Sequence, residues 1–259
     1  SCTQQGICKI LPISVHRFFT TDNETDNHMF WWYFPALNGK KDAPLLIWLQ
    51  GGPGGASTFG LFAEMGPYQL VCPRGEDCTG KDGASKLALV ERPVTWNTDY
   101  DMLFIDNPVG AGFSYTTKDE GYCKDTHECV ARNLYSCITQ FYTMFAAKQK
   151  DPLWITGESY GGHYVPAISD YIRIQNKKSP AVPLPLKGCA IGDGWIDPVN
   201  MLGGYPEMIY NMGLASESEK ARIQKYVDDS GAAIQKGDFL GSFTIWDQFL
   251  NGDVWPYGN

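Results

Sequence analysis

The chain has 259 residues, a length that suits one large domain or two small ones. Its hydrophobic residues make up 43% and its charged residues 19%, which allows a buried core and excludes a disordered or coiled-coil chain. The formal net charge of −8, without a cluster of basic residues, argues against nucleic-acid binding. No apolar run approaches the roughly 20 residues that a bilayer span needs, so we expect no membrane span.

Five short apolar runs predict the strands of a sheet. The later runs are nearly continuous, which is typical of strands covered by helices on both faces. The predicted strands are residues 28–34, 43–49, 101–105, 153–156 and 188–191.

An apolar stripe between the third and fourth predicted strands indicates a helix. Its members recur every three or four residues, which is the spacing of one helix face. Asp125, with Glu128 three residues later, is a start signal, and Pro152 marks the end. The stripe consists of Val130, Leu134, Ile138, Phe141 and Phe145.

A second helix is predicted directly after Ser159, and a polar helical pattern begins at Tyr205. Because strands and helices alternate, the chain is predicted to have an α/β fold with a mostly parallel sheet. The polar helical stretch indicates an inserted subdomain.

Eight cysteines and four histidines bear on the compartment and on metal binding. Three cysteine pairs are C-x5-C, too widely spaced for a structural zinc site, and the histidines do not cluster with them, so no metal is predicted. We expect disulfides formed in an oxidising compartment, with buried free thiols as the alternative. The sequon at Asn23 lies in a polar stretch and predicts a glycosylated loop. Because Ser1 begins no signal peptide, the chain is interpreted as a mature, processed form.

The strongest chemical motif is Gly157-Glu158-Ser159-Tyr160-Gly161, between a predicted strand and a predicted helix. This is the setting of a G-x-S-x-G nucleophile elbow, which lifts the serine hydroxyl above the edge of the sheet. Glycines flank the turn because a Cβ there would clash with neighbouring backbone. The motif predicts Ser159 as a nucleophile, and an ordinary glycine-rich turn is the alternative.

A second glycine-rich segment, residues 50–55 (QGGPGG), follows an earlier predicted strand. It lacks the Gly-Lys-Ser/Thr ending of a phosphate loop. In a hydrolase with a nucleophile elbow, the loop at this place supplies an amide of the oxyanion hole. The two segments together predict acyl transfer without a cofactor.

The general base of such a site is missing from the expected position. Only His163 follows Ser159, and from one turn along the same helix its ring cannot readily accept the serine proton. The other three histidines precede the serine, against the order of Ser, then Asp or Glu, then His. We therefore expect that this chain alone does not complete a triad.

These motifs resemble the serine carboxypeptidase family over nearly the whole chain. The resemblance implies an α/β-hydrolase fold, with residues 1–200 as the N-terminal part of the core and residues 201–259 as the start of a helical cap or insertion. It also implies that the C-terminal part of the fold is missing from this chain. Residues 192–214 are most similar to the vitellogenic-like carboxypeptidase branch. The motifs are WLQGGPGGAS (48–57), EMGP (64–67), WN (96–97), DNPVGAGFSY (106–115), GESYGGHYVP (157–166) and GDGWIDP (192–198).

Members of this family are often cut into a heavy N-terminal chain and a light C-terminal chain that carries the triad Asp and His. The resemblance therefore implies a heavy chain here, with a light chain and a peptide substrate as partners. A homodimer is left open.

The resemblance also implies a role for each residue of the site. Ser159 would be the nucleophile, and the amides of Gly52 and Tyr160 would form the oxyanion hole. Two glutamates can face a substrate carboxylate only if protons are shared among them, so peptides should bind best at acidic pH. A solvated helix residue is the alternative interpretation of Glu64. The implied ligands of the substrate's terminal carboxylate are Gln50, the Gly51 amide, Glu64 and Glu158.

Two positions depart from the family pattern. Gln50 stands where the family usually has Asn, so the amide is displaced by one methylene. Gly55-Ala56 stand where it usually has Cys-Ser, and that cysteine normally ties this loop to the C-terminal part. The absence of this cysteine implies a disulfide pattern that differs from the usual pattern of the family. By spacing we pair Cys72 with Cys78 and Cys123 with Cys129, and we add a helix-to-strand link between Cys137 and Cys189.

The leading hypothesis is an acid-active exopeptidase that removes C-terminal residues through an acyl-enzyme. An acyltransferase or hydroxynitrile lyase on the same scaffold is the second hypothesis, and a non-catalytic storage or binding protein is the third. The cysteines and the sequon predict the secretory pathway, ending in a lysosome or vacuole or in secretion.

Overall fold

The computed structural model describes residues 14–79 and 82–252, and the chain divides into two compact units. The first unit ends at Gly194 and contains the sheets, and the second begins at Trp195 and is helical. Cys2 and Cys8 lie outside the described residues. The assignment of residues 1–200 to a hydrolase core and of 201–259 to a cap stays a prediction.

Two sheets form the framework of the first unit. The strands are β1 (Val15–Asp22), β2 (Asn27–Phe34), β3 (Leu45–Leu49), β4 (Tyr68–Val71), β5 (Ala88–Glu91), β6 (Asp101–Ile105), β7 (Tyr115–Thr116), β8 (Leu153–Glu158) and β9 (Leu186–Gly192). The central sheet has the order β1-β2-β6-β3-β8-β9, with β7 beside β2, and β4 and β5 form a separate hairpin. Strands β6, β3, β8 and β9 run parallel. The α/β fold with a mostly parallel sheet is therefore confirmed.

Burial explains which strands the sequence predicted. Every residue of β3 and β6 is buried, so both strands read as continuous apolar runs. In β1 only Phe19 is buried and the exposed positions include polar side chains, so the strand has no such signal.

Two long helices cover one face of the central sheet and share its core. The helices of the first unit are α1 (Ser57–Phe59), which continues into a π-helical turn (Gly60–Glu64), α2 (Ala131–Met144) and α3 (Gly161–Asn176). A second π-helical turn precedes α2, and Asp125 caps it by accepting hydrogen bonds from the amides of Glu128 and Cys129. The helix start predicted at Asp125 is confirmed, with a π-helical first turn.

The second unit is a helical hairpin with two shorter helices before it. Its helices are α4 (Pro198–Leu202), α5 (Tyr205–Asn211), α6 (Glu217–Gln235) and α7 (Phe239–Asn251). Ser216 and Glu219 form a capping box at the start of α6, and Leu202, Val227 and Trp246 form the buried core. In the described ranges, no helix is both long enough and apolar enough for a membrane crossing.

Two of the three disulfide pairings proposed from the sequence are present. Cys72 is bonded to Cys78 and Cys123 to Cys129. The third pairing is wrong, because Cys137 is a buried free thiol and Cys189 an exposed one. Helix α2, which carries Cys137, packs against α3, β1 and β2, whereas β9 packs against α3 and β8. Helix α3 therefore lies between the two thiols.

Candidate active site

Ser159 occupies a sharp turn between β8 and α3. Its φ of 51° lies in the left-handed region, which a residue with a side chain rarely adopts. The Ser159 amide donates to the Gly192 carbonyl at 3.1 Å, and its carbonyl accepts from the Gly162 amide at 2.9 Å. The surrounding backbone thus holds a strained serine at the end of the sheet, as expected of a nucleophile elbow.

The glycine spacing of the motif follows from its contact with β3. A Cβ on Gly157 would lie 2.6 Å from the Leu49 carbonyl oxygen, and one on Gly161 would lie 3.1 Å from the same atom. The turn can therefore pack on the end of β3 only with small residues on both sides of Ser159.

The loop after β3 approaches the elbow just as closely. A Cβ on Gly51 would lie 2.7 Å from the Cβ of Ser159 and 2.8 Å from the Tyr160 amide nitrogen. Gly52, the next residue, has a φ of 117° and precedes a cis proline, Pro53. The structure thus brings the predicted oxyanion loop against the predicted nucleophile.

The three side chains implied in carboxylate binding also meet. Gln50 is buried, and its Nε2 donates to Oε1 of Glu64 at 3.1 Å and to Oε1 of Glu158 at 2.6 Å. Both amide hydrogens of Gln50 are therefore engaged by carboxyl groups. Glu158 is the residue directly before Ser159, so this cluster adjoins the elbow.

Burial raises the pKa of Glu64 to about 7, and the charges of Glu158 and Asp193 add to the rise. The hydrogen bond from Gln50 opposes it in part. The Oε2 atom of Glu64 is buried, and a hydrogen bond between the carboxyl groups of Glu64 and Glu158 also adds to the rise. Glu64 can therefore hold a proton near neutral pH, unlike a solvated helix residue.

Trp48 is a site residue that sequence reasoning missed. Its indole Nε1 donates to Oε1 of Gln50 at 2.9 Å, which leaves the amide NH2 directed at the two glutamates. Trp96 packs edge-on against Trp48, with ring centroids 5.6 Å apart. The two-residue spacing of Trp48 and Gln50 could have revealed the pair, since residues i and i+2 of an extended chain share a face.

Asp106 joins the loop after β6 to α1. This buried carboxylate accepts hydrogen bonds from the amides of Thr58 and Phe113, both at 3.0 Å. Ser57 Oγ in turn accepts a hydrogen bond from the backbone N–H of Gln50 at 3.1 Å. The segment DNPVGAGFSY (106–115) thus helps to place the helical turn that ends in the carboxylate cluster.

The four histidines all lie in the described part of the chain, and none of their rings hydrogen-bonds to Ser159. The ring of His163 packs on Tyr160, with centroids 4.6 Å apart, and burial lowers its pKa, with His127 adding to the effect. Within residues 14–79 and 82–252, no group of three or more His, Cys, Asp or Glu side chains is placed to hold a metal ion. The site therefore offers a serine, backbone amides and a carboxyl–amide cluster.

The sequence of this chain is similar to known carboxypeptidases. A family model described as "Serine carboxypeptidase" matches residues 14–244. Human "Probable serine carboxypeptidase CPVL" is 41% identical over 237 residues, which cover 92% of this chain and 47% of that protein. The vitellogenic carboxypeptidase of Aedes aegypti is 40% identical over 217 residues, 84% of this chain and 42% of its own length. The chain spans about half the length of the curated relatives it matches.

The solved structures include a similar protein. The crystal structure of KEX1(DELTA)P, a prohormone-processing carboxypeptidase from Saccharomyces cerevisiae, has a TM-score of 0.75 and 26% identity to this chain. The match covers 92% of this chain and 52% of the yeast chain.

Proposed function

The chain belongs to the serine carboxypeptidase family, with the α/β-hydrolase fold of that family, and we propose that it acts in hydrolysing the C-terminal peptide bond of its substrates. One observation carries the proposal. Ser159, in its strained turn, adjoins the oxyanion loop on one side and the cluster of Gln50, Glu64 and Glu158 on the other. A terminal carboxylate held by that cluster brings the last peptide bond of the substrate to the serine, which favours exopeptidase action.

The proposed chemistry is acyl transfer through Ser159. Its Oγ attacks the carbonyl carbon of the last peptide bond and gives its proton to a histidine base. The amides of Gly52 and Tyr160 stabilise the resulting oxyanion. The C–N bond then breaks, the released amino group takes the proton, and water later hydrolyses the acyl-enzyme.

We assign the triad Asp and His to a separate C-terminal chain. In support, none of the four histidine rings of this chain, all within the described residues, hydrogen-bonds to Ser159. The proposed partners are thus a peptide substrate and a light chain, and a homodimer stays a prediction.

The proposed enzyme works best on peptides at acidic pH. A substrate carboxylate adds a negative charge beside Glu64 and Glu158, so binding requires a proton on the cluster. Because the pKa of Glu64 is about 7, this proton is present in acid and is lost as the pH rises through neutrality.

The compartment proposed is the secretory pathway, with a lysosome or vacuole or secretion as the destination. The two disulfides support an oxidising compartment. Asn23 is exposed in the turn between β1 and β2, where a glycan has room. Loss of an endoglycosidase-sensitive mobility shift in an Asn23→Gln variant tests this assignment.

A fluorophosphonate probe tests the catalytic proposal. The purified native protein, with any chain that accompanies it, is treated with the probe, and release of the C-terminal residue from a blocked dipeptide is then assayed between pH 4 and 7. We expect an adduct on Ser159, none in Ser159→Ala, and residue release that the probe blocks. Labelling without release would favour acyltransferase or lyase chemistry, and absence of labelling would favour a non-catalytic protein.

A further inference from the structure

Gly55 lies against the side chain of Gln50. A Cβ on Gly55 would lie 3.0 Å from Cγ of Gln50, which is closer than ordinary van der Waals contact. That Cγ is one of the two methylenes that carry the amide of Gln50 to the glutamates. A side chain at position 55 and the glutamine at position 50 therefore compete for the same space.

A second glycine, Gly60, lies against the amide end of the Gln50 side chain. A Cβ on Gly60 would lie 2.4 Å from Nε1 of Trp48 and 3.0 Å from Oε1 of Gln50, at the hydrogen bond that joins these two atoms. Gly60 has a helical φ of −58°, which any residue adopts. Its small size, and not its backbone freedom, is what this position requires.

We propose that Gly55 and Gly60 are positioning residues that hold the amide of Gln50 in one orientation. Together with Trp48 they form a slot, the Gln50 slot, in which Oε1 faces the indole and Nε2 faces Glu64 and Glu158. The inference deepens the proposed function and rests on it, because the slot shapes the site that takes the substrate's terminal carboxylate.

The slot has a chemical consequence for the two glutamates. An amide turned by 180° would set Nε2 against the indole N–H of Trp48 and lose that hydrogen bond, and while the two glutamates are ionised it would also lose both hydrogen bonds to them. In the orientation observed, both hydrogens of Nε2 are used by the glutamates. Gln50 therefore draws the two carboxyl groups together.

A titration of Glu64 tests the slot without turnover. The carboxyl signal of Glu64 is followed by carbon NMR in protein labelled at glutamate and is assigned with Glu64→Gln. Four proteins are compared: the unmodified protein, Gly55→Ala, Gln50→Ala, and the double variant. These four proteins form a double-mutant cycle. It is needed because a Cβ on Gly55 would also lie 2.8 Å from the Gly51 carbonyl oxygen, a contact that does not involve the side chain of Gln50.

We expect the Glu64 midpoint to rise by about one pH unit in Gly55→Ala, because the displaced amide no longer stabilises the charged carboxylate. Gln50→Ala should give the same rise, and the double variant no more than Gln50→Ala alone. Gly60→Ala should shift the midpoint in the same direction. Gly231→Ala is the control, because a Cβ there meets nothing within 4 Å, and it should leave the midpoint unchanged.

An unchanged Glu64 midpoint in Gly55→Ala would overturn the proposal. So would a double variant whose midpoint lies above that of Gln50→Ala by as much as Gly55→Ala alone raises it. If Gly55→Ala fails to fold, folding of the double variant supports the slot. If both fail, the Gly60→Ala protein decides, and an unchanged Glu64 midpoint there overturns the proposal. The outcome is independent of the fluorophosphonate experiment. A shifted midpoint without labelling of Ser159 would uphold the slot and reject the catalytic proposal.

Discussion

Gly51 lies so close to Ser159 that no side chain fits between them: a Cβ at position 51 would be 2.7 Å from the Cβ of the serine. The contact arises because β3 and β8 are parallel neighbours, so the loops at their carboxyl ends meet at one edge of the sheet. The geometry of the candidate oxyanion hole therefore depends on backbone packing, and a single methyl group can disturb it.

Gly51→Ala is expected to separate the loop from the elbow. The amide donors of the loop would move away from the position of the oxyanion, and loss of one such donor typically costs a hundredfold or more in rate. The second-order rate of fluorophosphonate labelling measures this effect. Gly231→Ala, which adds a methyl group in open space on α6, should label at the normal rate. A normal rate in Gly51→Ala would contradict the assigned oxyanion loop.

Trp48→Phe is expected to weaken the recognition of a free terminal carboxylate. The change keeps an aromatic ring but removes the donor to Oε1 of Gln50, so a buried acceptor loses its partner. We expect kcat/KM for a peptide acid to fall about tenfold, mainly through KM, with little change for the corresponding C-terminal amide. Trp96→Phe is the matched control, because Trp96 contacts Trp48 through ring packing alone. Equal losses for the acid and the amide would indicate a general loss of packing instead.

Glu64→Gln is expected to change how stability depends on pH. The pKa of Glu64 is about 7 in the folded protein against an ordinary value of 4.5, so between these values the folded state binds more protons than the unfolded state. The carboxyl group therefore costs stability as the pH rises from about 4.5, and the cost is complete above about 7.

Thermal unfolding checks this effect. The Tm of Glu64→Gln relative to the unmodified protein should increase between pH 4.5 and 7, by roughly 2–4 °C after allowance for partial exposure. Glu120→Gln, at an exposed position, is the control and should show no such trend. A Tm difference that stays constant or shrinks with pH would show that Glu64 does not titrate as described.

Lys148→Met is expected to destabilise the first unit. The Lys148 ammonium lies 2.6 Å from Oδ2 of Asp101, which is fully buried, and 3.1 Å from Oδ2 of Asp151. Removing the cation leaves two carboxylates without their charge partner, at a cost of about 3 kcal/mol in the free energy of unfolding. Urea unfolding measures the loss. Lys150→Met, two residues along at an exposed position, should change the free energy of unfolding by less than about 0.5 kcal/mol.

The sequence predicted the parts of the fold in which local pattern and burial agree. Strands β3 and β6 are apolar over nearly their whole length because parallel strands inside a sheet are buried on both faces. Strands β4 and β5 were missed because they are four-residue strands of a hairpin with exposed positions on both. The pairing of Cys137 with Cys189 failed because spacing along the chain says nothing of the helix between them.

The candidate site was predictable to the extent that motifs mark it. Ser159 and the loop at Gly51 and Gly52 carry recognisable patterns, and their contact follows from the strand order. Trp48 escaped notice because a tryptophan in an apolar strand is indistinguishable from a core residue until its indole N–H is seen to donate to Gln50. The link between residues 50 and 55 depends on atomic distances that no pattern encodes.

We propose that the cluster around Gln50 recognises a substrate carboxylate beside Ser159. This proposal is tested by the ratio of kcat/KM for a peptide with a free C-terminus to that for the same peptide as a C-terminal amide, measured between pH 5 and 8 on the native protein. We expect a ratio well above one in acid that falls as the pH passes through about 7, where Glu64 loses its proton. A ratio that stays flat across this range, or that rises with pH, would contradict the proposal.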